Sequence, residues 1–323
     1  PIVPALVSEL CFARQEVGGT VVVLLTQLSK IDVEDALRAH IRFSNSHVVV
    51  RTGDVAKAED LDKVSVKNAR TVLVVSPADH SREAADARTL HVLLTMRSMK
   101  WPRDGTCVVE GQLPRNLRLF HETCYASSEV LVPGDFVGQL IVQSSEQRGL
   151  SRIIAQIFGF DGDEFYIHPV QGTEGLTFGQ VLGGLPGVVA VGIRKPGCAP
   201  VLVPEMNLVM EADDELVLLA EDRSVLPTRM PEDVQSLSIG GLRRRKSKAL
   251  LKERQEIVII GWSDHIGAAL VELNGYCGPG TKVVIYSPTP TVDRTKFIES
   301  DMYRRKETLL NLTVHHREGS LGA

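Results

Sequence analysis

Short apolar runs alternate with longer stretches of helical periodicity from the start of the chain to Gly149. Thr20–Leu25 and Thr71–Ser76 are continuous apolar runs, which is typical of parallel strands buried on both faces. Ser81–Met99 instead places its apolar residues at helical spacing. This alternation of strand and crossover helix predicts an α/β protein with a Rossmann-like, doubly wound parallel sheet.

The pattern changes after Gly149, where strands follow one another with few helices between them. A helix is predicted at Leu150–Phe158 and a shorter one at Phe178–Leu182. The predicted strands are Glu164–Val170, Val188–Arg194, Val201–Val203 and Asp214–Glu221. We therefore expect a small α+β lobe over residues 150–230.

The first pattern returns near the carboxyl end, as a repeat with a period of about 260 residues. The segment 280–284 (GTKVV) matches 19–23 (GTVVV), and 269–273 (ALVEL) matches 5–10 (ALVSEL). In the second copy the strand Glu256–Gly261 precedes the matching helix, whereas the first copy begins inside that helix. We therefore expect the first strand of the first copy to precede Pro1, and both ends of the chain to be cut.

These patterns divide the chain into four expected parts. Residues 1–149 form a first Rossmann-like lobe, and residues 150–230 form the small lobe. Residues 231–253 are a linker with the basic run RRRKSK at 243–248, and residues 254–323 begin a second Rossmann-like domain.

Composition and charge exclude several classes of function. The net charge of −4 provides no basic field for nucleic acid. No apolar run reaches the roughly 18 residues that a membrane-spanning helix needs, so we expect these residues to be soluble. Five cysteines without CxxC spacing indicate a reducing compartment.

A glycine turn follows Glu256–Gly261, in the place of a dinucleotide fingerprint, but its sequence fits NAD poorly. Ser263 replaces the glycine that lets the backbone approach a pyrophosphate, and Ile266 replaces the next one. The following strand ends at Ser287 without an acid for a ribose hydroxyl. The sequence therefore predicts that this turn does not bind NAD.

Carboxylates stand at the carboxyl ends of three predicted strands of the first lobe. Asp54 follows the third strand of the complete domain, Asp79 follows the fourth, and Glu110 ends the fifth. Ligands bind at this edge of open α/β sheets, and Ca²⁺ takes several oxygen ligands. We interpret Asp54, Asp79 and Glu110 as a candidate Ca²⁺ site, with solvated turns and helix caps as the competing interpretation.

Segments spread over most of the chain resemble the CASTOR/POLLUX family of plant-type ion channels, and their order and spacing match. They are DLDKVSVKNARTVLVVS at 60–76, DARTL at 86–90, GF at 159–160, EFYI at 164–167, VGIR at 191–194, DELV at 214–217, AED at 220–222 and GW at 261–262.

The resemblance implies a regulatory role. In that family a pore region lies upstream of two RCK-type domains, and four subunits form a gating ring beneath the pore. Its members are described as K⁺- or Ca²⁺-permeable channels of the nuclear envelope regulated by Ca²⁺. We accordingly expect a homo-oligomeric, tetramer-type ring attached to a membrane through a pore domain of the same full-length chain.

The resemblance also bears on individual residues. In related calcium-gated RCK domains acids follow the fourth strand and end the fifth, as Asp79 and Glu110 do, but Gln112 stands where a further acid is expected. The helices Phe136–Gln147 and Leu150–Phe158 would form a helix–turn–helix that packs on a partner RCK domain. Its expected contacts are Phe136, Leu140, Ile141, Ile153 and Ile157.

Two other classes remain open on the sequence alone. A soluble NAD- or nucleotide-binding regulator of K⁺ transport would have the same domains without a pore. An NAD-dependent oxidoreductase would need a glycine fingerprint and a catalytic His or Tyr in the cleft. Because the visible fingerprint is broken, we predict that the chain is not an enzyme.

Overall fold

The computed structural model describes residues 2–15, 18–40, 45–77, 80–99, 105–124, 128–159, 162–231 and 252–320. The chain divides into two compact units. The first unit joins Pro1–Arg148 with Leu251–Ala323, and the second is Gly149–Leu250. Most of the predicted linker, including its basic run, lies outside the described residues.

The amino-terminal part of the first unit is a parallel strand pair covered by helices on one face. Its elements are α1 (Ile2–Phe12), β1 (Val21–Thr26), α2 (Lys30–His40) and β2 (His47–Thr52). Val22 and Leu24 pack with buried residues of both helices, but Val21 and Val23 are 65% and 42% exposed. The prediction that this strand is buried on both faces is therefore wrong, because α1 and α2 pack against only one face.

Three parallel strands in the order β3-β4-β5 follow. The elements are α3 (Ala58–Lys63), β3 (Thr71–Val74), α4 (Arg82–Ser98), β4 (Thr106–Glu110), α5 (Leu117–Thr123) and β5 (Ser128–Leu131). The predicted helix Leu61–Ala69 is shorter than expected, because Ser65 adopts the left-handed region (φ 56°) and a 3₁₀ turn follows. Met96, Val109 and Phe120 fill the core of this part.

The carboxyl-terminal part of the first unit is a second parallel sheet, in the order β10-β11-β12. Its elements are β10 (Glu256–Ile260), α9 (Ile266–Tyr276), β11 (Thr281–Ser287), α10 (Thr291–Arg305) and β12 (Leu312–Glu318). Val283 and Ile285 are fully buried, as alternation along β11 requires. Parallel strands joined by crossover helices confirm the Rossmann-like α/β class in both copies.

A buried arginine joins the strand ends of this second sheet. Arg294 on α10 is 0% exposed and donates to the carbonyl oxygens of Ile285 (2.9 Å) and Arg317 (3.2 Å). These carbonyls lie near the carboxyl ends of β11 and β12, so the guanidinium fixes the helix against both strands.

One helix connects the β3-β4-β5 sheet to the β10-β11-β12 sheet within the first unit. This helix is α6 (Pro133–Glu146), and it packs against α9. A Cβ added to Gly138 would lie 2.7 Å from Cβ of Ala268 and 2.9 Å from the carbonyl oxygen of His265. Val142, one turn later, belongs to the apolar core of the second sheet. The backbones of α6 and α9 therefore approach closely at Gly138, and Val142 continues the contact into the apolar core.

The second unit is the small α+β lobe that the strand pattern predicts. Its elements are α7 (Leu150–Phe158), β6 (Glu164–His168), α8 (Phe178–Gly184), β7 (Val189–Arg194), β8 (Val201–Leu202) and β9 (Glu215–Ala220). The strands are antiparallel in the order β6-β9-β7-β8. A capping box between Thr177 and Gln180 begins α8, and Phe178, Val181 and Leu218 lie in the core.

The search for membrane-spanning segments was negative over the described residues: none of their helices has the length and apolar character needed to cross a bilayer.

The close contact at Gly138 predicts a clear mutational effect. Gly138→Ala inserts a methyl group against Ala268 and the start of α9, so we expect it to destabilise the first unit by about 1–3 kcal/mol. Gly275→Ala on α9 is the matched control, because a Cβ there meets no atom within 4 Å. It should be neutral or stabilise the helix by up to about 1 kcal/mol. Urea unfolding of both variants measures the difference, and equal stabilities would contradict the packing at Gly138.

Candidate functional site

Glu110 stands at the carboxyl end of β4 and links two neighbouring strand ends. One carboxylate oxygen accepts from the backbone N–H of Ser76, just after β3 (3.0 Å), and the other accepts from the side-chain amide of Gln112 (3.3 Å). The hydroxyl of Ser76 is buried and has no hydrogen-bond partner among the described residues. The edge that the sequence singled out is therefore polar and closely connected.

Asp86 on α4 positions the loop that follows Glu110. Its carboxylate is 1% exposed and accepts from the backbone N–H groups of Gln112 (2.7 Å) and Leu113 (3.2 Å). It also accepts from the side-chain amide of Asn116 at 2.7 Å. Three donors offset the cost of burying this charge, so Asp86 fixes the backbone beside the candidate site.

Sequence analysis missed the role of Asp86. The residue appeared only as part of the DARTL segment. The signal was present in the spacing, because Asp86 lies one residue after Ala85 and three before Thr89 on a helix whose other buried positions are apolar or small. An acid on that face needs donors from another element, and the loop after β4 supplies them.

Asp54 belongs to a different hydrogen-bond network at the end of β2. Its carboxylate accepts from the side-chain amide of Gln27 (3.1 Å) and from the backbone N–H of Ala56 (3.1 Å). The carbonyl oxygen of the Gln27 side chain accepts from Arg88 on α4 at 3.3 Å. Asp54 therefore connects β1, β2 and α4.

The neighbouring Asp60 stabilises the same turn. It accepts from the backbone N–H of Asp54 at 2.8 Å. The hydrogen bond from Lys63, followed by that from Asp54, lowers the pKa of Asp60 below its usual value. A Cβ at Gly53 would lie 2.9 Å from Cγ of Asp60, so a side chain there would force the Asp60 carboxyl group to move.

The structure places two of the three candidate site residues. Asp54 and Glu110 each lie at a strand end, as predicted, and each bonds to its own set of neighbours. Asp79 lies outside the described residues. Within the part of the chain that the structure describes, no group of three or more His, Cys, Asp or Glu side chains is arranged to hold a metal ion.

Ion pairs join the start of α4 and α6 to the second sheet. Arg305 on α10 donates to Asp135 on α6 and to Asp301 on its own helix, both at 2.7 Å. Burial lowers the pKa of Arg305, but these two hydrogen bonds outweigh that effect and leave the pKa above its ordinary value. Arg82 at the start of α4 lies 3.5 Å from Asp264.

The glycine turn after β10 has the geometry of a tight turn, and a second glycine follows it on α9. Gly261 has φ 103°, which favours glycine. Gly267 lies so close to the Asp301 carboxylate that no Cβ fits between them. This glycine therefore serves helix packing between α9 and α10.

Two models of known families match successive parts of this chain. Residues 3–132 match the RCK domain described as "Calcium-activated potassium channel slowpoke-like", and residues 134–235 match "Castor and Pollux, part of voltage-gated ion channel". The chain thus combines a match to an RCK domain with a match to the Castor and Pollux family model.

Individual relatives give the family. The ion channel POLLUX of Lotus japonicus is 30% identical over 323 residues, which is 98% of this chain and 34% of that channel. The probable ion channel SYM8 of Pisum sativum is 29% identical over 98% of this chain and 35% of its own length. The resemblance to the CASTOR/POLLUX ion-channel family is confirmed, and the chain spans about a third of the length of these relatives.

Among solved structures, the "GsuK channel bound to NAD" matches 88% of this chain and 44% of its own chain, with a TM-score of 0.41 and 17% identity.

The hydrogen bonds that Asp86 accepts from the loop after β4 lead to a specific prediction. Asp86→Ala leaves buried N–H groups of Gln112 and Leu113 without an acceptor, so we expect a loss of about 3 kcal/mol in the free energy of unfolding. The control is Asp62→Ala, because Asp62 is 52% exposed and forms an exposed ion pair with Lys67. It should cost at most about 1 kcal/mol. Urea titration distinguishes them, and a small effect of Asp86→Ala would contradict the role of this carboxylate.

Proposed function

We propose that the chain is a regulatory gating-ring segment of a cation channel permeable to K⁺ or Ca²⁺, and that it is not an enzyme. The observation that carries this proposal is the match of 98% of the chain to ion channels. The match of residues 3–132 to an RCK domain and the second Rossmann-like sheet, whose α9 packs on α6, support it. The proposed divisions are a first lobe (1–149), a small lobe (150–230), a linker (231–253) and the start of a second domain (254–323).

The repeat supports this division. In the second copy β10 pairs with β11 on the side away from β12. In the first copy β1 pairs only with β2 among the described residues, so the position equivalent to β10 is unpaired there.

Ca²⁺ is the proposed regulatory ligand, and Glu110, Asp54 and Asp79 are its proposed oxygen donors. Glu110 supports this choice because its carboxylate stands at the strand edge where ligands of α/β sheets bind. Hard oxygen ligands suit Ca²⁺. Binding would compete with the present hydrogen bonds of Glu110 to Ser76 and Gln112, so occupancy of the site would alter the loop after β4.

Ligand sites with a small coupling free energy suffice to shift the conformation of a gating ring. A coupling of about 1–3 kcal/mol for each site is common in allosteric proteins. Several sites acting on one concerted equilibrium approach the roughly 5.5 kcal/mol that moves a population from 1:99 to 99:1. A ring of identical subunits supplies those several sites.

Assembly into a homo-oligomeric, tetramer-type ring is the second part of the proposal. On α6, Phe136 and Ile141 are 45% and 56% exposed, and on α7 Ile153 is 53% exposed. Leu140 and Ile157 are half-buried. Because these apolar side chains are not buried in the core of their own unit, we propose that both helices pack on a partner subunit.

Membrane attachment completes the proposal. A pore domain of the same full-length chain would anchor the ring, and the family resemblance favours the nuclear envelope. A soluble NAD- or nucleotide-binding regulator of K⁺ transport is the second candidate, favoured by the Rossmann-like fold alone. Ser263 and Ile266 in the glycine turn argue against NAD in the second domain.

The calcium site predicts a measurable effect. Glu110→Gln removes one negative charge from the strand edge but keeps the shape of the side chain. We expect calorimetric titration to show a Ca²⁺ affinity about tenfold lower or weaker still, which corresponds to about 1.4 kcal/mol. Asp79→Ala should act in the same direction.

Glu122→Gln is the control for charge alone, because Glu122 is 60% exposed on α5 and pairs with Arg118. It should leave Ca²⁺ binding unchanged. Heats of binding that are identical in the wild type and Glu110→Gln would remove Glu110 from the site, and an absence of Ca²⁺ binding in the wild type would overturn Ca²⁺ as the ligand.

A further inference from the structure

A cavity of about 410 Å³ lies at one end of the sheet in the second unit. Strands β6 and β7 end there and β9 begins there, because both strands pair with β9 in the antiparallel sense. The cavity is lined by Gln171 after β6, by Pro196 after β7 and by the turn 212–215 before β9. The described residues of the lining include three acids and no Lys, Arg or His, so the cavity is acidic.

Three consecutive carboxylates line this cavity, and only one of them has a cationic partner among the described residues. Glu215 accepts from Nε of Arg194 at 2.7 Å. Asp213 is exposed, and the ion pairs of the described residues include neither Asp213 nor Asp214. Lys195, the next cation along the chain, is bound to Glu211 at 2.6 Å. Two negative charges of the lining are therefore left without a cation.

Asp214 is the carboxylate that most clearly lacks a partner. It is 4% exposed, and its Oδ2 accepts from the backbone N–H of Glu211 at 2.9 Å. Its other oxygen, Oδ1, is buried and has no hydrogen-bond partner among the described residues. A buried carboxylate oxygen without a donor is costly in free energy. A cation in the cavity that Asp214 lines would offset this cost.

Backbone hydrogen bonds hold two sides of the cavity in place. The N–H of Asp214 donates to the carbonyl oxygen of Glu211 at 3.2 Å, which closes the turn before β9. On the opposite side, the N–H of Gln171 donates to the carbonyl oxygen of Thr228 at 3.0 Å. The carbonyl oxygen of Gln171 accepts from the N–H of Met230 at 2.8 Å. The chain thus forms the cavity by its own main-chain contacts.

We propose that this cavity binds a short aliphatic diamine or polyamine, whose ammonium groups are held by Asp213 and Asp214. Two carboxylates without cations match two positive charges. The methylene chain of the ligand would lie on Pro169, Val170 and Pro196 of the lining, as lysine stems lie on apolar surfaces. The volume lies within the roughly 300–1,000 Å³ of small-molecule sites and exceeds what a single metal ion fills.

A bound diamine would connect the three loops at this end of the sheet, because each of them contributes to the lining. Binding does not rest on the proposed gating-ring function or on the proposed Ca²⁺ site. The cavity is lined by residues of the second unit alone, whereas Glu110 belongs to the first unit.

Calorimetric titration of the 323-residue chain with putrescine (1,4-diaminobutane), at constant ionic strength, tests the site. We expect saturable binding, with butylamine, which has the same chain and one ammonium group, at least about tenfold weaker. Asp214→Asn should weaken putrescine binding about tenfold or more, because Asn keeps an acceptor for the N–H of Glu211 but removes the charge. Glu205→Gln is the matched control, since Glu205 is an exposed acid of the same unit outside the lining. It should bind putrescine as the wild type does.

A second variant and a second readout guard against misfolding of Asp214→Asn. Asp213→Asn changes an exposed side chain, so it should fold normally and weaken putrescine binding about threefold or more. In hydrogen exchange, putrescine should slow exchange of the amides in the turn before β9 in the wild type and in Glu205→Gln. It should not do so in Asp214→Asn.

Three results would overturn the proposal. The first is equal putrescine affinity in Asp214→Asn and Glu205→Gln, or no saturable binding below about 10 mM. The second is protection of the turn before β9 by Ca²⁺ but not by putrescine, which would make the ligand a metal ion. The third is loss of putrescine binding in Glu110→Gln, which should bind putrescine normally whatever happens to its Ca²⁺ affinity. This last titration separates failure of the diamine site from failure of the proposed function.

Discussion

The contact between α6 and α9 is the constraint on which the arrangement of the first unit depends. It is made where Gly138 allows backbone approach to Ala268, and Val142 then enters the core of the second sheet. Without this contact, the ion pairs Arg305–Asp135 and Arg82–Asp264 would join the β10-β11-β12 sheet to the rest of the first unit. Such pairs are individually weak when they are partly exposed. Apolar packing at a glycine therefore supplies the stability, and the ion pairs of Arg305 and Arg82 fix the orientation.

The same arrangement places the proposed ligand-binding edge of the first sheet beside this contact. Glu110, Gln112 and the loop held by Asp86 face the region where α6 begins. The start of α6 is also where Asp135 reaches Arg305 on the second sheet. A change in the loop after β4 is thus only a few residues from the contact that joins the two sheets. This proximity gives a ligand at the strand edge a physical path to the rest of the segment.

Much of the fold follows from local patterns. The alternation of apolar runs and helical periodicity identified most strands, and the repeat of GTVVV and GTKVV identified the second sheet, because parallel strands have a strong local signal. The burial of each face did not follow: β1 and β10 expose Val21 and Ile260, since burial depends on which side the crossover helices cover. The broken helix at Ser65 was also missed, because one residue with positive φ leaves little trace in periodicity.

The candidate site could be predicted only in part. Strand-end rules placed Asp54 and Glu110 correctly at strand ends, but they did not reveal that different neighbours hold each carboxylate. The roles of Asp86 and Arg294 were not predicted. A buried charge is identified by its hydrogen-bond partners, and these lie on other elements of the chain. The ion pair of Asp135 with Arg305 spans 170 positions, and no local pattern carries that information.

The central claim is that α6 and α7 use their exposed apolar side chains to assemble copies of this segment into a ring. Light scattering coupled to size exclusion, at high protein concentration, measures this most directly. The account predicts an assembly larger than one chain for the wild type, and a single chain when Ile153 on α7 is replaced by Glu. The matched replacement of Val201, which is equally exposed on β8, should leave the assembly intact. A wild-type protein that remains a single chain at every concentration would contradict the account.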